Sequence, residues 1–215
     1  MKRLLLAPIF LAAASAQTSL SIHVYNRAKV PPRVLESAER EASSILSRAG
    51  IETAWTAGPP DAPEGCSFDF SGRSAYQHPK PDTRGYLVVS VGRGGPASAF
   101  RDTLGFALPN ASTGVHAFIF YDRVEELTDP RLVTVPKVLG NAMAHEVGHV
   151  LMGSVEHSST GLMKARWDKA DYMRAEAGMM QFSTLEREII REHARVRMAN
   201  SDGEVRASVY RPVQQ

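Results

Sequence analysis

Apolar and polar positions along the chain fall into short strand-like runs interrupted by two long stretches of helical period. "LSIHVYN", from Leu20 to Asn26, alternates and is rich in branched residues, which predicts a strand. Beyond Pro31 and Pro32, apolar residues recur at Val34, Ala38, Ala42 and Ile45 or Leu46 ahead of Gly50, the pattern of one helix face with prolines suited to its first turn. "IETAW" (Ile51 to Trp55) follows as a second strand, and the crossover rule makes the unit a right-handed strand, helix, strand. The unbroken apolar run of "GYLVVSVG" (Gly85 to Gly92) predicts a third strand, covered on both faces.

Two further strands, around Leu104 to Leu108 and His116 to Tyr121, flank the turn signal "PNASTG". From Thr134 the period changes again. Thr134 before Val135 and Pro136 is a helix start, and the helix runs to Met152 with Gly153 as its stop. Ser183 and Glu186 make a capping box for a last helix through about Met198, and the tail from 201 to 215 reads as loose. Thr56 to Arg84 is rich in Gly, Pro, Asp and Ser and reads as a long loop.

The first sixteen residues change the picture. Lys2 and Arg3 precede an apolar run from Leu4 to Ala13 and the small-residue "ASA" at Ala14 to Ala16, the order of a secretory signal peptide cleaved after Ala16. The apolar run falls well short of the ~20 residues that span a bilayer, and no later stretch is apolar enough for a membrane span. Residues 17–200 then form one domain, with subdomains of about 17–153 and 154–200. Without the signal, 23 basic residues face 23 acidic ones, which does not support a basic surface for nucleic acid. Cys66 is the single cysteine, so no internal disulfide can form; it is a small loop or core residue, or a thiol able to cap a metal. The sequence leaves the oligomeric state open.

Candidate chemistry sits in "HEVGHVLMGSVEHSSTGLM" (His145 to Met163), which holds three of the chain's seven histidines. His145 and His149, four apart on a helix, point from one face and can reach one ion. Zinc takes imidazole nitrogens at ~2.0 to 2.1 Å, and a catalytic zinc keeps three protein ligands and one open position. Glu146 lies ~100° further round the helix, beside that open position, where a carboxylate can act as general base while the metal polarises a carbonyl. If Gly153 adopts a left-handed conformation, His157 can fold back under the helix as third ligand; Glu156, Asp168 and Asp171 are the other candidates. His23 and His116 read as strand residues, Tyr172 as packing, and Met163 as a core gap-filler or an apolar floor, since a thioether is a poor zinc ligand beside imidazoles.

"HEVGHVLMGSVEH" followed by "GLM" resembles the metzincin clan of zinc peptidases, whose motif is H-E-x-x-H-x-x-G-x-x-H with a downstream methionine turn. Outside that segment the likeness, from Leu20 to Met163, is one of element order. The resemblance implies a catalytic zinc held by His145, His149 and His157, with Glu146 as general base and Met163 in the turn beneath. It also implies an α+β fold: a mixed, mostly parallel twisted sheet with a backing helix and an active-site helix, followed by a small helical C-terminal subdomain. The chain departs from the clan in its spacing. Its glycine lies four residues after the second histidine and its third histidine four after the glycine, so the return loop must be wider. Lys164 and Ala165 also follow the methionine, where some metzincins carry a tyrosine two places on.

The function expected is an exported zinc endopeptidase acting on peptide or protein substrates. A zinc-stabilised binding protein without catalysis is the alternative, and a metal-free exported domain the third reading.

Overall fold

The computed structural model describes residues 19–58, 86–95, 102–109 and 116–209. The signal segment at 1–16, Cys66, most of the loop from Thr56 to Arg84 and the "NASTG" part of the turn lie outside the described residues. Five strands, β1 (Leu20–Asn26), β2 (Thr53–Ala57), β3 (Tyr86–Gly92), β4 (Gly105–Ala107) and β5 (His116–Phe120), form one sheet in the order β2-β1-β3-β5-β4. Every pairing is parallel except β4 with β5, where Phe106 stands opposite Phe118. The sheet is thus mixed and mostly parallel, with β4 at one edge.

Residues Leu87 to Val91 of β3 and all of β5 are buried, as expected of strands covered on both faces. Helix α1 (Pro32–Arg48) turns Ala38, Ala42, Ile45 and Leu46 inward and ends ahead of Gly50. A short helix, α2 (Tyr121–Leu127), leaves β5 directly. Helix α3 (Val135–Met152) packs against α1, β4 and β5, and every residue from Val138 to Leu151 is buried. A helix buried on all sides is a core element. Asn141 Nδ2 donates to the Lys137 carbonyl at 2.8 Å, while Asn141 Oδ1 and Glu146 Oε2 are buried without a partner. Lys137 of α3 is tied to Glu41 of α1 at 2.7 Å.

Beyond α3 the chain is helical, with α4 (Lys169–Glu176) and α5 (Thr184–Val209). Several boundaries differ from those predicted. β2 begins at Thr53 rather than Ile51, because Ile51 turns into the core and its N–H closes the end of α1 on Leu46. The strand expected through Tyr121 stops at Phe120, where the chain enters α2. The last helix runs on to Val209 instead of ending near Met198. Gly203 weakens a helix but removes no donor, and the first proline beyond is Pro212. Among the described residues no helix is long and apolar enough to cross a membrane.

Candidate metal centre

The site begins at the end of α3. Gly153 caps that helix at φ 66° and ψ 25°, a left-handed conformation that a side chain resists. The N–H groups of Gly153 and Ser154 both reach the carbonyl of His149, and the chain reverses. The reversal does two things. It returns His157 toward the helix, and it brings the Ser154 carbonyl within 2.8 Å of His149 Nδ1.

Three rings converge there. His149 Nε2 lies 3.1 Å from His145 Nε2 and 3.3 Å from His157 Nε2, and one ligand atom from each ring lies within 4.8 Å of the others. The Nδ1–H of His145 donates to the Leu162 carbonyl at 2.8 Å, as that of His149 does to Ser154. With Nδ1 of both rings protonated, their Nε2 atoms present lone pairs to each other at a distance that would repel unless a cation stood between them. Four donors at ~2.0 to 2.1 Å in a tetrahedron stand about 3.3 to 3.4 Å apart, close to the two separations from His149. The residues fit a zinc ion.

Burial pushes the His145 ring down to about 3, helped by the neighbouring His149, and the His149 ring down to about 4. Glu186, close by, pulls the His149 ring the other way. His157, at the exposed rim, is lowered by desolvation. All three imidazoles are neutral near pH 7, the form that binds metal.

Glu146 lies beside them and is buried, its carboxyl pushed up to about 8 by desolvation. Its Oε2 has no hydrogen-bond partner. Behind it stands Gly105 of β4, where a Cβ would come within 2.9 Å of Glu146 Cγ and 3.0 Å of Oε1 and would collide with the Phe118 carbonyl. Met163 is fully buried, with its Sδ 3.1 Å from where a Cβ on Gly148 would stand. It lies under the helix turn that carries His149.

The other candidate ligands are engaged elsewhere. Asp168 caps α4 and pairs with Lys164 at 2.7 Å, while buried Asp171 binds Lys164 at 2.6 Å and Arg174 at 2.5 Å. Glu156 is exposed and outside the cluster. His116 is a buried strand residue near Phe118, and His23 packs on Tyr86. Among the described residues, then, three histidines gather without a fourth donor.

The histidines open on a cleft of about 440 Å³. One wall is β4 with Leu104; the other is the segment Lys164 to Trp167 together with Tyr172. An Arg166–Asp102 ion pair at 3.0 Å joins the two walls. Sequence reasoning missed the groups that orient the site. The Leu162 and Ser154 carbonyls, Ser158, and Gly105 carry no motif. Glu186 was visible only as a helix cap.

No protein-family model matches the chain, and no curated protein sequence matches it. Among solved structures, the chain is similar to archaemetzincin from Methanopyrus kandleri, with a TM-score of 0.56 and 16% sequence identity over 85% of this chain and 99% of that one. The chain accordingly shares the α+β fold of archaemetzincin, a mixed five-stranded sheet with helices.

Proposed function

We propose that the chain is an exported zinc peptidase that hydrolyses peptide bonds in peptide or protein substrates. The observation that carries this reading is the convergence of three neutral imidazole Nε2 atoms, without a fourth donor among the described residues, on a cleft that also holds the buried Glu146 carboxyl, whose Oε2 has no hydrogen-bond partner. His145, His149 and His157 would hold the ion. When bound, zinc supplies a Lewis acid for a carbonyl oxygen and lowers the pKa of water.

The remaining chemistry belongs to the chain. Glu146, with Oε2 free of other hydrogen bonds, would ionise beside a bound cation, whose charge opposes the burial that holds its proton, and then take a proton from the attacking water and return it to the leaving amine. The carbonyls of Leu162 and Ser154 keep two rings in the tautomer that leaves Nε2 available. Edge strand β4 offers main-chain groups to an extended peptide along the cleft, leaving side-chain preference to the walls. Export rests on the leader at residues 1–16 and would yield a chain beginning at Gln17.

The test compares wild type with Glu146→Gln on a peptide library, with metal content measured in both. About one zinc per chain is expected in each, with hydrolysis reduced on the order of 10²- to 10⁴-fold in the variant. A variant that cleaves as fast as wild type removes Glu146 from the mechanism. Failure of a hydroxamate to bind the zinc-loaded protein would point instead to a closed, structural site.

A further inference from the structure

His157 differs from its two partners in what orients it. His145 and His149 are fixed by a buried helix and by Nδ1–H bonds to carbonyls at 2.8 Å. His157 stands at the rim, and among the described residues its only hydrogen-bonding neighbour is the ring of His149. Its position is therefore set by its backbone. The adjacent residue, Ser158, carries that load.

Ser158 is held from two directions. Its N–H donates to the Met163 carbonyl at 2.8 Å, and it forms an isolated parallel bridge with Lys164, which ties the His157 strand of the loop to the methionine turn. Its hydroxyl donates to Glu186 Oε1 in a short hydrogen bond. Glu186 is itself buried, and its Oε2 accepts the N–H of Ser183 at 2.7 Å while Ser183 Oγ accepts the N–H of Glu186 at 3.3 Å. One carboxylate thus caps α5 with one oxygen and grips the metal loop with the other. A cap alone would need only the first.

We propose that Glu186, acting through Ser158, is a positioning residue for the third metal ligand, so that the first turn of α5 holds His157 at the distance a metal ion requires. The inference rests on the reading of the three histidines as a zinc site. Its observable is metal affinity and coordination geometry. Groups that orient a ligand without touching the metal change affinity by about 10- to 100-fold when removed.

Six proteins decide it: wild type, Ser158→Ala, Glu186→Ala, the double variant that carries both, Glu186→Gln and Ser183→Ala. Zinc affinity is measured by competition with a chromogenic chelator, the visible absorption of the cobalt-substituted protein reports ligand geometry, and thermal melts of metal-free protein report folding. Ser158→Ala and Glu186→Ala are expected to weaken zinc by about 10- to 100-fold and to alter the cobalt spectrum. The double substitution should be no worse than either single one, because both break the same link. Glu186→Gln keeps an acceptor for Ser183 and a donor for the Ser158 hydroxyl, so it should bind within a few-fold of wild type. Ser183→Ala removes the helix cap alone; it should lower the melting temperature and leave affinity and spectrum unchanged.

If Ser158→Ala binds zinc as wild type does with the same cobalt spectrum, the positioning role is wrong, and Ser158→Ala decides this even if Glu186→Ala does not fold. Equal losses of affinity in Ser183→Ala and Ser158→Ala would also overturn it, leaving Glu186 as a cap. A wild-type chain that takes up no zinc would overturn the metal site itself, a separate and recognisable outcome.

Discussion

At the scale of single residues, the candidate site depends on an absence as much as on its three histidines. Gly105 gives Glu146 its place: a methyl group there would press on Cγ and Oε1 at 2.9 and 3.0 Å and also meet the Phe118 carbonyl. In Gly105→Ala the closest clash, with the Phe118 carbonyl, forces β4 to shift and the Glu146 carboxyl with it, while the histidines are held from other elements. Peptide hydrolysis should fall by at least ~10-fold with zinc affinity unchanged, since misplacing a catalytic group by about 1 Å costs up to ~10²-fold. Steady-state kinetics alongside chelator competition would check this; an unaltered kcat/KM would mean that β4 does not set the carboxylate. Nothing in "TLGFALP" announced this role, because the contact joins residues far apart in sequence. His145, Glu146 and His149 were legible for the opposite reason. A helix converts their spacing directly into direction. His157 was legible only conditionally, since its direction depends on a turn whose angle spacing does not fix.

At the scale of elements, the decisive feature is the end of α3. Gly153 sits at φ 66°, where a residue with a Cβ loses about 1 to 2 kcal/mol. Gly153→Ala should destabilise the metal-free protein by about that much in urea titration. Because the same reversal delivers both His157 and the Ser154 carbonyl, zinc affinity should fall as well. Stability lost without any loss of affinity would show that the loop finds its path independently of the cap. The helix bounds here were readable, with Thr134 and Gly153 flanking Val135–Met152 as the sequence suggests. Two short helices were not. α2 follows an apolar run that continues the strand pattern, and no side chain caps its start. α4 did carry a signal. Asp168 and Asp171 are the two halves of its capping box, and a reading that weighs both acids as metal ligands passes over the local hydrogen bonds that in fact engage them.

At the scale of the whole molecule, the buried site makes stability depend on pH in a way the surface charges do not. In the metal-free protein His145 and His149 are held at about 3 and about 4, below their ordinary 6.5, so between those values and 6.5 the unfolded chain binds two more protons than the folded one. Stability therefore rises with pH across that range. Glu146 works the other way: raised from 4.5 to about 8, it keeps a proton in the folded state that the unfolded chain has lost, so stability declines as pH climbs from 4.5 through 8. Between 4.5 and 6.5 the two histidines outweigh the one carboxyl, and above 6.5 the carboxyl acts alone. The metal-free protein should therefore be most stable near pH 6.5 and lose stability on either side, with similar slopes down to about pH 4.5 and a steeper loss below it. Zinc held by the three histidines would shift this balance. At a free concentration of 100 times Kd it adds about 2.7 kcal/mol, and because only neutral imidazoles bind it, the added stability shrinks as pH drops below the histidine range. Melting temperatures measured from about pH 3 to 9, with chelator and with zinc, test both statements. A chelated protein whose melting temperature stays flat from about pH 5 to 8 would mean that these three groups do not share one water-poor site.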